Sequence, residues 1–270
     1  MPKNIIFYFS GTGNSLKAAK DIAAAVGGCE LVNMGCAHRL DGAYERIGFV
    51  FPCYFWGIPA RVRAFVNGLD ISGNEQAYIF AAATFGGTGA VNALSQVDRL
   101  LERKGAALSY NHFVRMPGNY VCLYPMQKDA AQRAAAAEEA IRFIVSDIAR
   151  TKRNSPPRGS FIMNFAYSLF IRTIADKDRG YNVSDACTGC GMCADVCPVG
   201  NIRIENGRPE FLHNCEQCMA CIQWCPAQAI NYKNKTQTRG RYHHPRVTAA
   251  EIGAFNKVSE RINVKSGLET

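Results

Sequence analysis

Apolar runs alternate with helical patterns through the first 150 residues of the chain. The segment at residues 3–9 forms an apolar run after Lys3 and Asn4, which is typical of a strand buried on both faces of a parallel sheet, and an alanine-rich helical pattern follows it. Later segments repeat this alternation, which predicts a doubly wound α/β sheet. The other predicted elements are strands near 47–51, 77–83 and 107–114, and helices near 59–68, 88–104 and 128–150.

The turn after the first strand is rich in small polar residues and has no basic residue. Its glycines let the backbone approach a phosphate, and Ser10, Thr12, Asn14 and Ser15 supply neutral donors at a helix N-terminus, whose dipole favours an anion. A Walker loop needs Gly-Lys-Ser/Thr, and Leu16 stands where a dinucleotide fingerprint has its third glycine. The pattern therefore predicts a phosphate-binding loop, with an ordinary strand-to-helix turn as the alternative.

Two further loops follow predicted strand ends, where an open parallel sheet places its ligand, and both combine aromatic residues with glycines. Aromatic side chains stack on a flat ring system, and glycines bring backbone amides close to it. We expect Trp56 to stack on such a ring, although Tyr54, Phe55 and Trp56 also suit a buried core. A long loop at residues 116–125 either covers the ligand, faces the C-terminal module or is an ordinary surface loop.

These loops resemble those of flavodoxins, because Ser-x-Thr-Gly-x-Ser matches the flavodoxin phosphate loop and the aromatic loops match those around its flavin ring. The resemblance implies a flavodoxin-like doubly wound parallel five-stranded sheet, with strand order 2-1-3-4-5 and FMN at the ends of the first and third strands. It also implies FMN contacts from all four loops. The expected contact residues are Ser10, Gly11, Thr12, Gly13, Asn14, Ser15, Pro52, Cys53, Tyr54, Phe55, Trp56, Gly57, Thr84, Phe85, Gly86, Gly87, Gly89, Asn119 and Tyr120.

Eight of the twelve cysteines form two copies of the spacing C-x2-C-x2-C-x3-C-P. Zinc sites favour separated pairs of cysteines, and disulfides persist in oxidising compartments, for which the chain shows no leader. The repeat resembles the bacterial-type two-cluster ferredoxin, a small α+β domain in which the fourth cysteine of each run serves the other cluster. The resemblance implies two [4Fe-4S] clusters, one held by Cys187, Cys190, Cys193 and Cys225 and the other by Cys215, Cys218, Cys221 and Cys197.

The patterns divide the chain into four parts. Residues 1–150 form the predicted FMN-binding domain, 151–180 a linker with a helix whose apolar residues pack between the modules, 181–235 the two-cluster ferredoxin domain and 236–270 a basic tail. The net charge is +9, yet residues 181–230 carry two basic against five acidic residues. We expect the basic linker and tail to lie over this acidic module, to dock an acidic partner or to remain solvated.

The whole chain is similar to flavodoxin-ferredoxin fusion proteins, which implies a low-potential redox carrier that transfers electrons between two clusters and FMN. The alternative is an FMN-dependent reductase that passes ferredoxin-type electrons to an organic substrate, with Tyr120 or Tyr124 as proton donor. Expected partners are redox proteins, such as a ferredoxin or an oxidoreductase, and not nucleic acid. No apolar run reaches the roughly 20 residues that span a bilayer, so we expect a cytoplasmic location.

Overall fold

The larger part of the molecule is a five-stranded parallel sheet with helices packed against it. The structure is a computed structural model and describes residues 3–35, 38–87 and 92–254. The elements of this part are β1 (Asn4–Tyr8), α1 (Asn14–Val26), β2 (Cys29–Asn33), β3 (Arg46–Pro52), α2 (Ala60–Gly68), β4 (Tyr78–Phe85), α3 (Asn92–Glu102), β5 (Tyr110–Arg115) and α4 (Ala130–Ala149). The strand order is β2-β1-β3-β4-β5, which confirms the predicted flavodoxin-like sheet.

The central strands are buried on both sides, as their continuous apolar runs predict. All five residues of β1 are buried, and β4 is buried from Tyr78 to Thr84. Helices α1 and α4 pack on each other, as do α2 and α3, so the apolar residues divide into two clusters. A Cβ atom at Gly48 in β3 would lie 2.3 Å from the Phe80 ring, so glycine is needed there for the ring of β4 to pack.

The C-terminal part contains two short antiparallel ladders, β6 with β9 and β7 with β8. Asn206 and Gly207 connect β7 to β8 with positive φ angles of 48° and 74°, which the tight hairpin turn requires. The elements are α5 (Phe161–Ile171), a 3-10 helix (Ile174–Gly180), β6 (Tyr181–Val183), α6 (Met192–Asp195), β7 (Ile202–Glu205), β8 (Arg208–Phe211), α7 (Ala220–Gln223), β9 (Ile230–Tyr232) and α8 (Ala249–Ala254).

The linker helix α5 differs from its prediction. Its buried residues are Tyr167 and Ile171, whereas Phe161 and Phe165 are 84% and 60% exposed. The Tyr167 hydroxyl donates to the Ile58 carbonyl at 2.6 Å, which fixes the narrow buried face of α5 on the sheet domain. The expectation that the apolar residues of this helix pack between the two modules is therefore wrong for its exposed residues, such as Phe161 and Phe165.

The C-terminal module packs directly on the sheet domain, at the edge where the strands end. Met219 and Ile222 belong to the same apolar cluster as Phe9 at the end of β1. The tail adds two further contacts, because the Tyr242 hydroxyl donates to Asn14 Oδ1 at 2.8 Å and the His244 backbone N–H donates to the Thr12 carbonyl at 2.8 Å. The ferredoxin repeat and the tail thus lie against the predicted phosphate loop.

Candidate cofactor sites

A cavity of about 410 Å³ opens at the carboxyl ends of the central strands, where the flavodoxin-like order predicts a ligand. Its volume lies within the roughly 300–1,000 Å³ that is usual for ligand pockets. The expected FMN contacts that line it are Ser10, Gly11, Thr12, Asn14, Ser15, Pro52, Cys53, Tyr54, Phe55, Trp56, Thr84, Phe85, Gly86, Gly87, Asn119 and Tyr120.

Three expected contacts are not part of this lining, and six lining residues were not among the expected ones. Gly13 and Gly57 lie in the loops but not at the cavity wall, and Gly89 lies outside the described residues. Five of these six residues lie in the long loop at 116–125, which the sequence already marks as a candidate cover for the ligand. The sixth, Gln217, comes from the ferredoxin repeat, and nothing in the local sequence marks it as part of this cavity. The missed residues are Met116, Pro117, Gly118, Leu123, Tyr124 and Gln217.

The phosphate loop forms a buried polar turn that leads into α1. The Gly13 backbone N–H donates to Ser10 Oγ at 3.2 Å, and Gly13 has a φ of 95° that favours glycine. The Ser15 and Thr84 hydroxyls are 2.8 Å apart, which joins the loop to the end of β4. No side chain caps the first turn of α1, so its backbone amides remain suited to an anion. This donor set fits the phosphate of a flavin mononucleotide.

The loop at residues 116–125 lines the cavity and faces the C-terminal module, which is one of its three predicted roles. Asn119 Nδ2 donates to Thr12 Oγ1 at 2.5 Å, while the Asn119 carbonyl accepts from Gln223 Nε2 at 2.6 Å. The Tyr120 hydroxyl donates to Gln217 Oε1 at 2.5 Å. One short segment therefore connects the phosphate loop to the ferredoxin repeat.

The aromatic loop after β3 is held in an uncommon backbone conformation. Phe55 and Trp56 have φ angles of 47° and 68°, and two hydrogen bonds of 2.9 Å join Tyr54 to Gly57 across them. Such conformations in non-glycine residues cost about 1–3 kcal/mol and cluster at ligand sites. Phe55 packs edge-on against the Tyr120 ring at 5.2 Å, and Trp56 remains 40% exposed at the cavity. The loop holds aromatic side chains at the cavity wall and not in the core.

The eight repeated cysteines line two small cavities in the C-terminal module. One cavity is lined by Cys187, Cys190, Cys193 and Cys225, which we call the outer set, and the other by Cys197, Cys215, Cys218 and Cys221, which we call the inner set. Each group contains three cysteines of one run and the fourth of the other, which is the arrangement that the crossover predicts. Within the described residues, no three His, Cys, Asp or Glu side chains converge closely enough to bind one metal ion.

Backbone amides face several of these sulfur atoms. The Asn201 N–H donates to Cys197 Sγ at 3.2 Å, the Gln217 N–H donates to Cys215 Sγ at 3.2 Å and the Ala229 N–H donates to Cys225 Sγ at 3.3 Å. Hydrogen bonds to sulfur are among the features that set the reduction potential of an iron-sulfur cluster. The protein therefore has the donors that a cluster in either cavity would use.

The inner set is next to the phosphate loop, whereas the outer set reaches the surface. A Cβ atom at Gly11 would lie 2.8 Å from the Cys218 carbonyl oxygen and 3.2 Å from Cys218 Sγ, so the two residues are in direct contact. The Trp224 indole N–H, one residue before Cys225, donates to the Gly11 carbonyl at 3.0 Å. In the outer set, Cys190 is exposed.

The cysteines outside the repeat are half-buried or buried where they are described. Burial raises the pKa of the Cys53 and Cys122 thiols to about 12 and that of Cys29 to about 11. A thiol with such a pKa is protonated at neutral pH and is a poor nucleophile. These pKa values indicate that the three residues act as small packing side chains and not as reactive thiols, and Cys36 lies outside the described residues.

Comparison with known proteins identifies the C-terminal module. Residues 179–226 match the model of a 4Fe-4S dicluster domain. An uncharacterized ferredoxin of Methanocaldococcus jannaschii is 40% identical over 73 residues, which are 24% of this chain and 82% of the relative. Ferredoxin-2 of Desulfomicrobium norvegicum is 53% identical over 32 residues, which are 11% of this chain and 54% of the relative.

Solved structures similar to the sheet domain include the flavodoxin of Megasphaera elsdenii, which is 20% identical with a TM-score of 0.32 and covers 51% of this chain and 98% of its own. An FMN-dependent NADH-azoreductase of Bacillus anthracis is 11% identical with a TM-score of 0.41 and covers 55% of this chain and 100% of its own.

The cysteine runs and the matched domain define an iron-sulfur protein of the ferredoxin class. The sheet domain before them has the flavodoxin-like strand order. The chain belongs to the ferredoxin family through its C-terminal dicluster domain, and it joins this domain to a sheet domain with a flavodoxin-like fold. Across the described residues, no helix is both long enough and apolar enough to cross a bilayer.

Proposed function

We propose that the protein is a redox carrier that transfers electrons between two [4Fe-4S] clusters and one bound FMN. The contact between Gly11 in the phosphate loop and Cys218 in the inner set is the observation that carries this proposal. Electron transfer weakens steeply with distance, and a fused module is held at a high effective concentration beside its partner. Direct packing of the phosphate loop on the inner cysteine set supports rapid electron transfer between the two sites.

The residues around the cavity divide into two groups that suit the two ends of FMN. The loop at residues 10–15 and the first turn of α1 would hold the phosphate, because they offer neutral donors and a helix N-terminus. Phe55, Trp56 and Tyr120 would surround the flavin ring and exclude water from it. A bound flavin supplies a group that accepts either one or two electrons, while each cluster handles one at a time.

The two cysteine sets suggest an order for the electron path. Cys190 of the outer set is exposed, so a cluster held there would meet an external redox protein. All four inner cysteines are buried, and this set packs on the phosphate loop. We therefore propose that electrons pass between a partner protein and the outer cluster, then the inner cluster, then FMN. The direction depends on potentials that burial and hydrogen bonds to sulfur adjust.

The position of Tyr120 favours a carrier over an organic reductase. A reductase requires a proton donor that is free to face a substrate beside the flavin. The Tyr120 hydroxyl instead donates its hydrogen to Gln217 Oε1 at 2.5 Å, and burial raises the pKa of this tyrosine. The proton of Tyr120 is thus committed to the contact between the modules.

Anaerobic purification followed by iron, sulfide and flavin analysis tests the proposal. We expect about eight irons and eight sulfides per chain, as two cubic clusters require, together with one FMN. Rapid mixing with a reduced ferredoxin should bleach the clusters first and the flavin second. A protein without flavin, one with about four irons, or a flavin that is reduced before any cluster would contradict the proposed electron path.

A further inference from the structure

Gln217 belongs to the ferredoxin repeat, yet its side chain lines the cavity of the sheet domain. It stands between Cys215 and Cys218, and its backbone N–H donates to Cys215 Sγ at 3.2 Å. The residue has a φ of 50°, in the left-handed region that costs a non-glycine residue energy. Its backbone therefore faces the inner cysteine set, while its side chain faces the proposed flavin site.

The side-chain amide of Gln217 is oriented by one partner and lacks a second. Gln217 is 3% exposed, and its Oε1 accepts from the Tyr120 hydroxyl at 2.5 Å. This bond fixes which end of the amide is turned away from Tyr120. Among the described residues, the buried Nε2 atom has no hydrogen-bond partner.

A buried donor without an acceptor is unfavourable, and such groups in proteins nearly always have a partner. The lining of the cavity offers aromatic rings and glycines beside Gln217. A flavin ring carries carbonyl oxygens and ring nitrogens along one edge, and these accept hydrogen bonds. The missing acceptor therefore matches the chemistry of the ligand that the cavity suits.

We propose that Gln217 Nε2 donates a hydrogen bond to an acceptor atom on the flavin ring, so that the ferredoxin repeat completes the flavin site. This inference rests on the proposed function. One residue then contacts both redox groups, through its backbone to a ligand sulfur of the inner set and through its side chain to the flavin. The donor stabilises negative charge that accumulates on the reduced ring, so it also raises the flavin potential.

Two substitutions separate the donor from the size of the side chain. Gln217→Met keeps the length and removes the donor, and Gln217→Glu keeps the shape and replaces the donor with an acceptor. We expect Gln217→Met to weaken FMN binding about tenfold, or about 1.4 kcal/mol, and Gln217→Glu to weaken it further. If the loss of affinity is another tenfold larger for reduced flavin than for oxidised flavin, the two-electron midpoint potential of the flavin falls by about 30 mV.

Fluorescence titration of the cluster-containing, flavin-free protein gives the dissociation constants, using FMN in one arm and riboflavin in the other. Loss of a donor to the ring weakens the binding of both ligands by the same factor, whereas loss of a donor to the phosphate weakens the binding of FMN alone. Resonance Raman spectra of the flavin carbonyl bands provide a second measurement, because loss of a donor moves them to higher frequency. Unchanged riboflavin affinity together with unchanged carbonyl bands would overturn the proposal.

Tyr120→Phe serves as a milder variant, because it leaves the Gln217 amide in place and removes only its orienting partner. We expect a smaller loss of riboflavin affinity than in Gln217→Met, and an equal or larger loss would count against the inference. Iron analysis of each variant guards against a general folding defect. A wild-type protein that lacks flavin or iron would refute the proposed function, whereas wild-type cofactor content with no effect at Gln217 would refute the present inference alone.

Discussion

Each of the two cysteine sets takes three cysteines from one copy of the same sequence spacing, but the two sets lie in different surroundings. The outer set contains the exposed Cys190 and the half-buried Cys187, while every cysteine of the inner set is at most 8% exposed. The inner set packs against Gly11 of the sheet domain, and the lining of its cavity also contains the buried Glu216. One repeated ligand motif thus gives two environments, because, in the described part of the chain, the sheet domain packs against only one of the two sets.

The largest expected difference comes from removing one cysteine of each set. Cys218→Ala removes an inner ligand within the core that joins the two domains, so we expect loss of about four irons and strong destabilisation of the whole chain. Cys190→Ala removes an exposed outer ligand, so we expect a similar iron loss with the sheet domain still folded. Iron analysis and thermal unfolding followed by circular dichroism measure both effects.

The rate of flavin reduction gives a second comparison of the two cysteine variants. The Cys190→Ala protein should retain FMN and accept electrons from dithionite, but react at least about tenfold more slowly with a protein donor if the outer cluster is the entry site. Equal melting temperatures for the Cys218→Ala and Cys190→Ala variants would show that the sheet domain does not depend on the inner set.

A second prediction concerns the contact that distinguishes the inner set. Gly11→Ala adds a Cβ atom 2.8 Å from the Cys218 carbonyl oxygen, so backbone must move, and overpacking of this type costs about 1–3 kcal/mol. We expect weaker FMN binding and an altered electron paramagnetic resonance signal from the inner cluster, with that of the outer cluster unchanged. Gly68→Ala is the matched control, because its added Cβ has nothing within 4 Å.

The sequence predicts the fold and the cysteine sets well because both follow from local patterns. Continuous apolar runs mark buried parallel strands, and the cysteine spacing marks the ligands. The contact of Gln217 with the cavity joins residues that are far apart in sequence, and no periodic pattern encodes it. Helix α5 is apolar enough to suggest burial, yet packing depends on the partner surface, and that surface accommodates Tyr167 and Ile171 and leaves Phe161 exposed.

The third prediction concerns the stability of the clusters towards a chelator. Because Cys190 is exposed and the inner cysteines are buried, iron should leave in two phases of about equal size, the outer set first. Absorbance of the iron-chelator complex follows the release, and Mössbauer spectra assign each phase to a cluster. Release in a single phase would mean that the sheet domain gives the inner set no additional protection.

The smallest expected effect concerns the tail that covers the phosphate loop beside the inner set. Burial first, and the Lys17 ammonium second, lower the pKa of His244 to about 4, whereas an unfolded histidine has a pKa of about 6.5. The contribution of neutral His244 to the docking of the tail is complete above about pH 6.5. It falls as the pH drops toward 4, because the released tail binds a proton that the docked tail does not. After allowance for solvent screening, we expect a loss of about 0.5–1 kcal/mol at pH 5.5.

Hydrogen exchange at pH 7.5 and 5.5 on the flavin-free protein measures this release, with the backbone bond from His244 to Thr12 as the reporter. His244→Gln removes the titrating group and should give equal protection of this amide at both pH values. The inner-set iron phase should also become faster at pH 5.5 in the wild type and not in the variant, while the outer phase responds equally in both. A pH effect that persists in His244→Gln would assign the release to other groups and leave the tail without a part in protecting the inner set.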